Sequence, residues 1–261
     1  MQNGVSGAGP LVQPIALAGT GHGPRMLLAS TEADFDALCS ATGLSGCAKP
    51  LFMSKVAGNG HGFSLAGPVV GAPYAVIILE TMIACGVREI VYLGWCGSIS
   101  ENHRIGDVIV PTHGYIDEGT SVHYLMTDEE ALPADQADMS VASASHPSEV
   151  EAMRLAMALE QEGVKTSRAP VWTTDAPFRE TPVKINRFAE RGAVAVDMET
   201  SALFTVARYR QVSLAAALVV SDELFTGSWN PGFASPAFQD SRTALHKALS
   251  AICQGSQTNP S

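Results

Sequence analysis

Four runs, "RMLLAS", "REIVYLGWCGSI", "AVAVD" and "LAAALVVSDE", are apolar almost without interruption. A strand with one wet face alternates, so runs of this kind belong to strands covered on both sides, as in α/β proteins. Helical patterns lie between them. "TEADFDALCSATG" has Ser30 or Thr31 as its cap, acids in its first turn and Gly43 at its end. "GPVVGAPYAVIILETMIACG" is a turn and then an apolar helix, and "HPSEVEAMRLAMALEQEG" and "PAFQDSRTALHKALSAICQ" are further helices. "GDVIVPT" and "GVKTSRAPVWTTD" add strands. The strand–helix–strand rhythm implies parallel neighbours. The expectation is a single α/β domain over residues 25–254, with a large, mostly parallel or mixed central sheet flanked by helices. A Gly- and Pro-rich irregular lead-in (1–24) precedes it and a loose tail (255–261) follows.

Composition narrows the partners. A chain of 261 residues, 46% hydrophobic and 16% charged, can bury a full core. Its net charge of −10, from 16 basic against 26 acidic residues, argues against a nucleic acid or an anionic membrane as partner, because both are bound by clustered cations. A small molecule is the expected ligand. Five cysteines, an odd number without a CxxC pair, suggest neither a disulfide framework nor a zinc site and fit a reducing cytoplasm. No apolar run approaches the roughly 20 residues of a membrane span, no targeting segment is expected, and the histidines lack metal-ligand spacing. "GTGHGP" near the start lacks the spacing of a phosphate loop.

In open α/β sheets ligands sit at the carboxyl ends of strands. Four such ends here carry unusual residues: "LGWCGSI", "VWTTDAPFRE", "AVDMETS" and "VVSDE". Asp197 and Glu199 stand two apart at the end of a buried strand. In extended chain, both would face one side and could accept the two hydroxyls of a ribose, with Met198 offering an apolar face. The alternative is that Asp197 caps the following helix and Glu199 is a first-turn acid. Asp222 ends another buried strand, where desolvation suits a carboxyl to proton donation; it too has a capping alternative.

"GPVVGAPYAVIILETMIACGVREIVYLGWCGSIS", "IGDVIVPTHGYIDEGTSVHY", "VDMETSALF" and "VVSDE", in this order, resemble the nucleoside phosphorylase family. That family includes uridine phosphorylase, hexameric purine nucleoside phosphorylase and the methylthioadenosine/S-adenosylhomocysteine nucleosidases. The resemblance runs from Arg25 to Glu223. It implies a ribose site at Asp197, Met198 and Glu199, and a base-protonating acid at Asp222. It also implies base contacts at Phe178, which would stack, and Arg179. It places Asp117, Glu118 and His123 near the site or a subunit contact. It further implies a homo-oligomer (dimer, trimer or hexamer), no metal and no organic cofactor, with inorganic phosphate as co-substrate. Whether the base is purine or pyrimidine stays open.

The chain departs from the family where phosphate binds. "ASTEAD" stands in place of an arginine-bearing turn after the first strand, and Tyr92 and Trp95 replace an arginine and a hydroxyl residue. The Gly94 to Gly97 amides are left as the obvious anion site, with Arg25, Arg88, Arg179 or an arginine of a neighbouring subunit as further candidates for phosphate. Nucleosidases of the family instead activate water with an acid near the first helix, a position close to Glu32 and Asp34, which are otherwise ordinary first-turn acids. Three readings follow: a phosphorylase releasing base and sugar 1-phosphate, the first expectation; an N-glycosidase using water; or a nucleoside-binding homologue with weak turnover.

Overall fold

A computed structural model describes residues 10–17, 22–58, 62–125 and 144–255. Most of the expected lead-in and almost all of the tail lie outside the described residues. The elements, in chain order, are β1 (Arg25–Ala29), α1 (Glu32–Thr42), β2 (Lys49–Leu51), β3 (Ser54–Gly58), β4 (Phe63–Gly67), α2 (Ala72–Ala84), β5 (Glu89–Ser98), β6 (Val108–Asp117), α3 (Val122–Leu125), β7 (Ala144–Ser145), α4 (Glu149–Gln161), β8 (Thr166–Thr174), α5 (Pro182–Glu190), β9 (Ala195–Asp197), α6 (Thr200–Tyr209), β10 (Ser213–Glu223), β11 (Asn230–Pro231) and α7 (Pro236–Gly255). A 3₁₀ turn, Pro177–Arg179, joins β8 to α5.

The sheet is mixed. Its core is parallel, with β1 beside β4 and β5, β5 beside β10, β6 beside β8, and β8 beside β9. Antiparallel pairs β5–β9 and β6–β10 complete a ring, β5–β10–β6–β8–β9, so this part of the sheet closes on itself. β4, β3 and β2 extend from β1 as a wing.

The unbroken apolar runs have the expected cause. Along β10, Leu214, Ala216, Leu218 and Val220 pack into the cluster built with α2 and α6, while Ala215, Ala217 and Val219 enter a second cluster with α1, α4 and α7. Both faces are dry, so period-2 alternation in polarity disappears. A third cluster, between the sheet and α5, stacks Trp172 on Phe188 with centroids 4.4 Å apart. Thr31 caps α1, its Oγ1 accepting from the Asp34 amide at 3.2 Å, and Gly43 ends it at φ +76°. Among the described residues no helix is long and apolar enough to cross a membrane.

Candidate active site

One cavity of about 490 Å³ opens where the carboxyl ends of the strands meet. Ser30 and Thr31 enter it from the end of β1, and Trp95, Cys96 and Gly97 from β5. Val196, Asp197, Met198 and Glu199 come from the β9–α6 junction, and Ser221, Asp222 and Leu224 from β10. Pro177, Phe178 and Glu180 come from the 3₁₀ turn and its end, and Trp229 and Phe233 from the stretch after β10. Four of these residues are acids; none of the described lining residues is Lys, Arg or His.

Asp197 and Glu199 do not share one job. β9 ends at Asp197 and the chain turns, so the two-residue period of a strand does not carry through to Glu199. Asp197 folds back onto the start of α6. Its Oδ2 accepts from the Thr200 amide at 2.8 Å and from the Thr200 hydroxyl at 2.5 Å, and its Oδ1 from Thr173 Oγ1 at 2.6 Å. It ties the end of β9 to the first residue of α6, with both oxygens engaged by the protein. Glu199 instead reaches the start of α2. Its Oε1 accepts from the Gly71 amide at 2.6 Å and its Oε2 from the Tyr92 hydroxyl at 2.9 Å. Gly71 sits at φ +82°, a conformation costly for any residue with a Cβ, and this presents its amide to the carboxylate at a helix N-terminus. Burial and the neighbouring Asp197 charge push the Glu199 pKa up to about 8, against the opposing bonds from Gly71 and Tyr92.

Asp222 is aimed by an irregularity. The β5–β10 register shifts between Val220 and Asp222, and a bulge of this kind redirects the side chain that follows it. Its Oδ1 accepts from Ser221 Oγ at 2.6 Å and its Oδ2 from Trp229 Nε1 at 2.9 Å. Gly97 makes room: a Cβ there would stand 3.0 Å from Asp222 Oδ2 and 2.6 Å from a Leu224 methyl. Glu199 and Asp222 therefore line a single cavity.

Other candidates fall differently. Met198 and Trp95 line the cavity, and Phe178 stands fully exposed at its mouth. Arg179 follows Phe178 in the 3₁₀ turn and is not a lining residue. The expected glycine turn is not a turn: β5 continues through Ser98, paired with β10 throughout. On its other edge, Gly94 to Cys96 lie between the last β1 pair, Ala29 with Leu93, and the first β9 pair, Gly97 with Val196. The amides of Gly94 and Gly97 thus belong to a strand rather than to a helix-start cradle.

Glu32 and Asp34 both lie outside the cavity lining. Glu32 is exposed and pairs with Lys55 at 2.7 Å. Asp34 is buried beneath the cavity wall, because α7 packs on α1 and supplies partners. Its Oδ1 accepts from Arg242 at 2.7 Å and meets His246 Nε2 at 2.7 Å, and its Oδ2 accepts from Trp95 Nε1 at 2.8 Å and from Thr31 Oγ1 at 2.6 Å. Burial alone would raise its pKa, but the bonds from His246, Thr31 and Arg242 outweigh that and hold it below the usual value. Asp117, Glu118 and His123 are elsewhere. Asp117 binds Trp172 and Lys184, Glu118 accepts from the Thr120 and Ser121 amides and from Ser201, and His123 borders a separate cleft.

Sequence reasoning missed Gly71, Tyr92 as the Glu199 partner, Trp229, Phe233 and Glu180. A tryptophan in the turn-rich "GSWNPGF" was the available signal, since a large aromatic is seldom placed in such a loop without a surface to cover. Glu180 stood two residues beyond Phe178 in a stretch already singled out. Burial and the Asp222 charge push its pKa up to about 7, against Lys184.

The fold and the chain have relatives. The purine nucleoside phosphorylase DeoD-type of Bacillus cereus is 27% identical over 170 residues, 65% of this chain and 67% of the relative. The guanosine phosphorylase of Halorubrum lacusprofundi is 23% identical over 65% of each. The matched region thus spans about two thirds of these relatives' length. Among solved structures, AMP nucleosidase from Bacteroides thetaiotaomicron superposes with TM-score 0.65 at 21% identity, covering 90% of both chains. A purine nucleoside phosphorylase from Toxoplasma gondii gives 0.69 at 15% identity, over 91% of this chain and 92% of the other. Futalosine hydrolase of Helicobacter pylori also gives 0.69 at 15%, over 88% and 98%. These structures share the fold. Because the model of the phosphorylase superfamily matches residues 16–254, nearly the whole chain, the protein belongs to that superfamily of nucleoside phosphorylases and nucleosidases.

Proposed function

We propose that the protein cleaves the N-glycosidic bond of a ribonucleoside in the cavity that Glu199 and Asp222 share. That shared cavity is the observation carrying the reading. Its volume, about 490 Å³, suits a nucleoside-sized ligand. Glu199 is the ribose acceptor of this reading, Met198 lies against the sugar, and the aromatic side chains of Phe178, Trp229 and Phe233 offer faces to the base. Breaking the bond builds positive charge on the pentose and negative charge on the base. An ionised carboxyl on the sugar side and a protonated carboxyl on the base side therefore stabilise the transition state more than the ground state.

Phosphorolysis, the first expectation, and hydrolysis part at the nucleophile. A dianionic phosphate is bound by cations and free amides. The described lining offers four carboxyls and no cation. Arg242, which lies 4.9 Å from the Trp95 ring, is already committed to Asp34. This wall favours water, and the reading is an N-glycosidase. Incubation with a panel of ribonucleosides in phosphate-free buffer is expected to release free base and free ribose at a rate that added phosphate does not raise. Release of sugar 1-phosphate, with turnover dependent on phosphate, would establish phosphorolysis instead.

A further inference from the structure

Four carboxyls line the cavity, and three are already held by the protein. Asp197 takes Thr173 and Thr200, Glu199 takes Gly71 and Tyr92, and Asp222 takes Ser221 and Trp229. Glu180 is the exception: among the described residues no group donates a hydrogen bond to its carboxyl or forms an ion pair with it. Its backbone amide donates to the Pro177 carbonyl at 3.2 Å, which ties it to the turn carrying Phe178. Lys184, the cation nearest in effect, places its ammonium 2.8 Å from Asp117. Glu180 is thus a half-buried carboxyl beside the aromatic at the cavity mouth that no described residue holds, so both its oxygens can turn to a ligand.

Resting on the reading of this cavity as a glycosidic-bond site, we propose that Glu180 is the catalytic acid, passing its proton to a ring nitrogen of the departing base. In the step, the bond between the anomeric carbon and the base nitrogen breaks with its electron pair left on nitrogen. That nitrogen accepts the Glu180 proton. Water adds to the anomeric carbon and gives up one proton, which restores the Glu180 carboxyl, so that one water is consumed and no oxidant or reductant is needed. The charged groups bearing on Glu180 are Asp222 on β10, which favours the protonated form, and Lys184 on α5, which opposes it. Asp197 and Glu199 line the same cavity. With its pKa raised to about 7, Glu180 is part-protonated at neutrality and matched to proton transfer there. Asp222 is a positioning and charge-setting partner in this scheme.

The test compares two substrates: a purine ribonucleoside, whose base leaves with a proton, and p-nitrophenyl ribofuranoside, whose phenolate leaves without one. Glu180→Gln is expected to lower kcat on the nucleoside about 100-fold or more and to leave the aryl riboside nearly unchanged, which also shows that the variant is folded. The alkaline limb of kcat/KM should vanish in Glu180→Gln and move to lower pH in Asp222→Asn, where the charge that holds the proton on Glu180 is gone. A Glu180→Gln variant that slows both substrates equally, slows neither, or keeps the parent's alkaline limb overturns the assignment. If the parent protein opens neither substrate, the glycosidic reading itself fails, and the Glu180 role fails with it.

Discussion

Glu199→Gln is expected to abolish most turnover of ribonucleosides while leaving the protein folded. Above about pH 8, where Glu199 is ionised, its carboxylate accepting from two sugar hydroxyls makes charge-assisted bonds of about 1.5–3 kcal/mol each. Losing both is a loss of roughly 10² to 10⁴ in kcat/KM. The amide can still accept from Gly71, whose N–H lies 2.6 Å from Oε1, and Tyr92, whose hydroxyl now donates at 2.9 Å, can rotate to accept instead. A 2′,3′-dideoxynucleoside should lose the same factor with the parent protein and little more with the variant. Equal kcat/KM for parent and variant on a ribonucleoside would remove Glu199 from the sugar site.

The same substitution has a stability signature whose sign follows from linkage. Glu199 carries a folded-state pKa of about 8 against an ordinary value of 4.5, so between those values the folded chain holds a proton that the unfolded chain has released. Stability of the ligand-free protein therefore falls as pH rises through that window, by up to about 1.4 kcal/mol per pH unit, and is greatest below it. Glu199→Gln removes this slope. Chemical denaturation midpoints at pH 5 and pH 8 should lie closer together in the variant than in the parent.

Asp34→Ala is expected to destabilise the fold by about 3–5 kcal/mol, the cost of stripping one partner from a buried ion pair. Asp34 is fully buried, and Arg242, His246, Trp95 and Thr31 all direct polar atoms to it. Its removal leaves the guanidinium with Gln239 Oε1, 3.0 Å from Nη1, as its remaining acceptor and leaves the indole N–H with none, at a largely buried site. Arg242 also lies 4.9 Å from the Trp95 ring and 5.4 Å from that of Phe238, so the charge cannot leave without unpacking α7 from the cavity wall. Guanidinium unfolding followed by tryptophan fluorescence and by far-ultraviolet circular dichroism reads the loss. Replacing Arg242 by Met in the same chain should recover part of it. A loss below about 1 kcal/mol in the single variant would show that Asp34 is not the anchor of α7.

Much of this architecture was legible because burial on both faces leaves a plain mark. The β1, β5 and β10 runs and the four long helices stand where the apolar patterns put them, and Thr31 and Gly43 bound α1 as their chemistry requires. The β2–β4 wing left no comparable mark: its strands have three to five residues, and Lys49 and Pro50 are exposed. Closure of the ring was equally hidden, since it depends on three-residue β9 pairing with β5 about 100 positions earlier. At the site, residue types at strand ends pointed to residues that line one cavity, but not to each partner. Asp197 and Glu199 are separated by the turn that ends β9, a conformational fact that a two-residue spacing does not encode. Glu180 was hidden because its distinction is negative, a carboxyl that no other described residue binds, and only the placement of its neighbours reveals it.

The central claim is that one cavity grips the pentose at Glu199 and faces the base with Asp222 and Glu180. Its most direct test is a crystal structure of the protein soaked with a C-nucleoside, whose carbon–carbon glycosidic bond cannot be cleaved. The account predicts the ribose hydroxyls on the Glu199 carboxylate and the base edge toward Asp222 and Glu180. A nucleoside bound with its sugar away from Glu199, or bound outside this cavity, would contradict it.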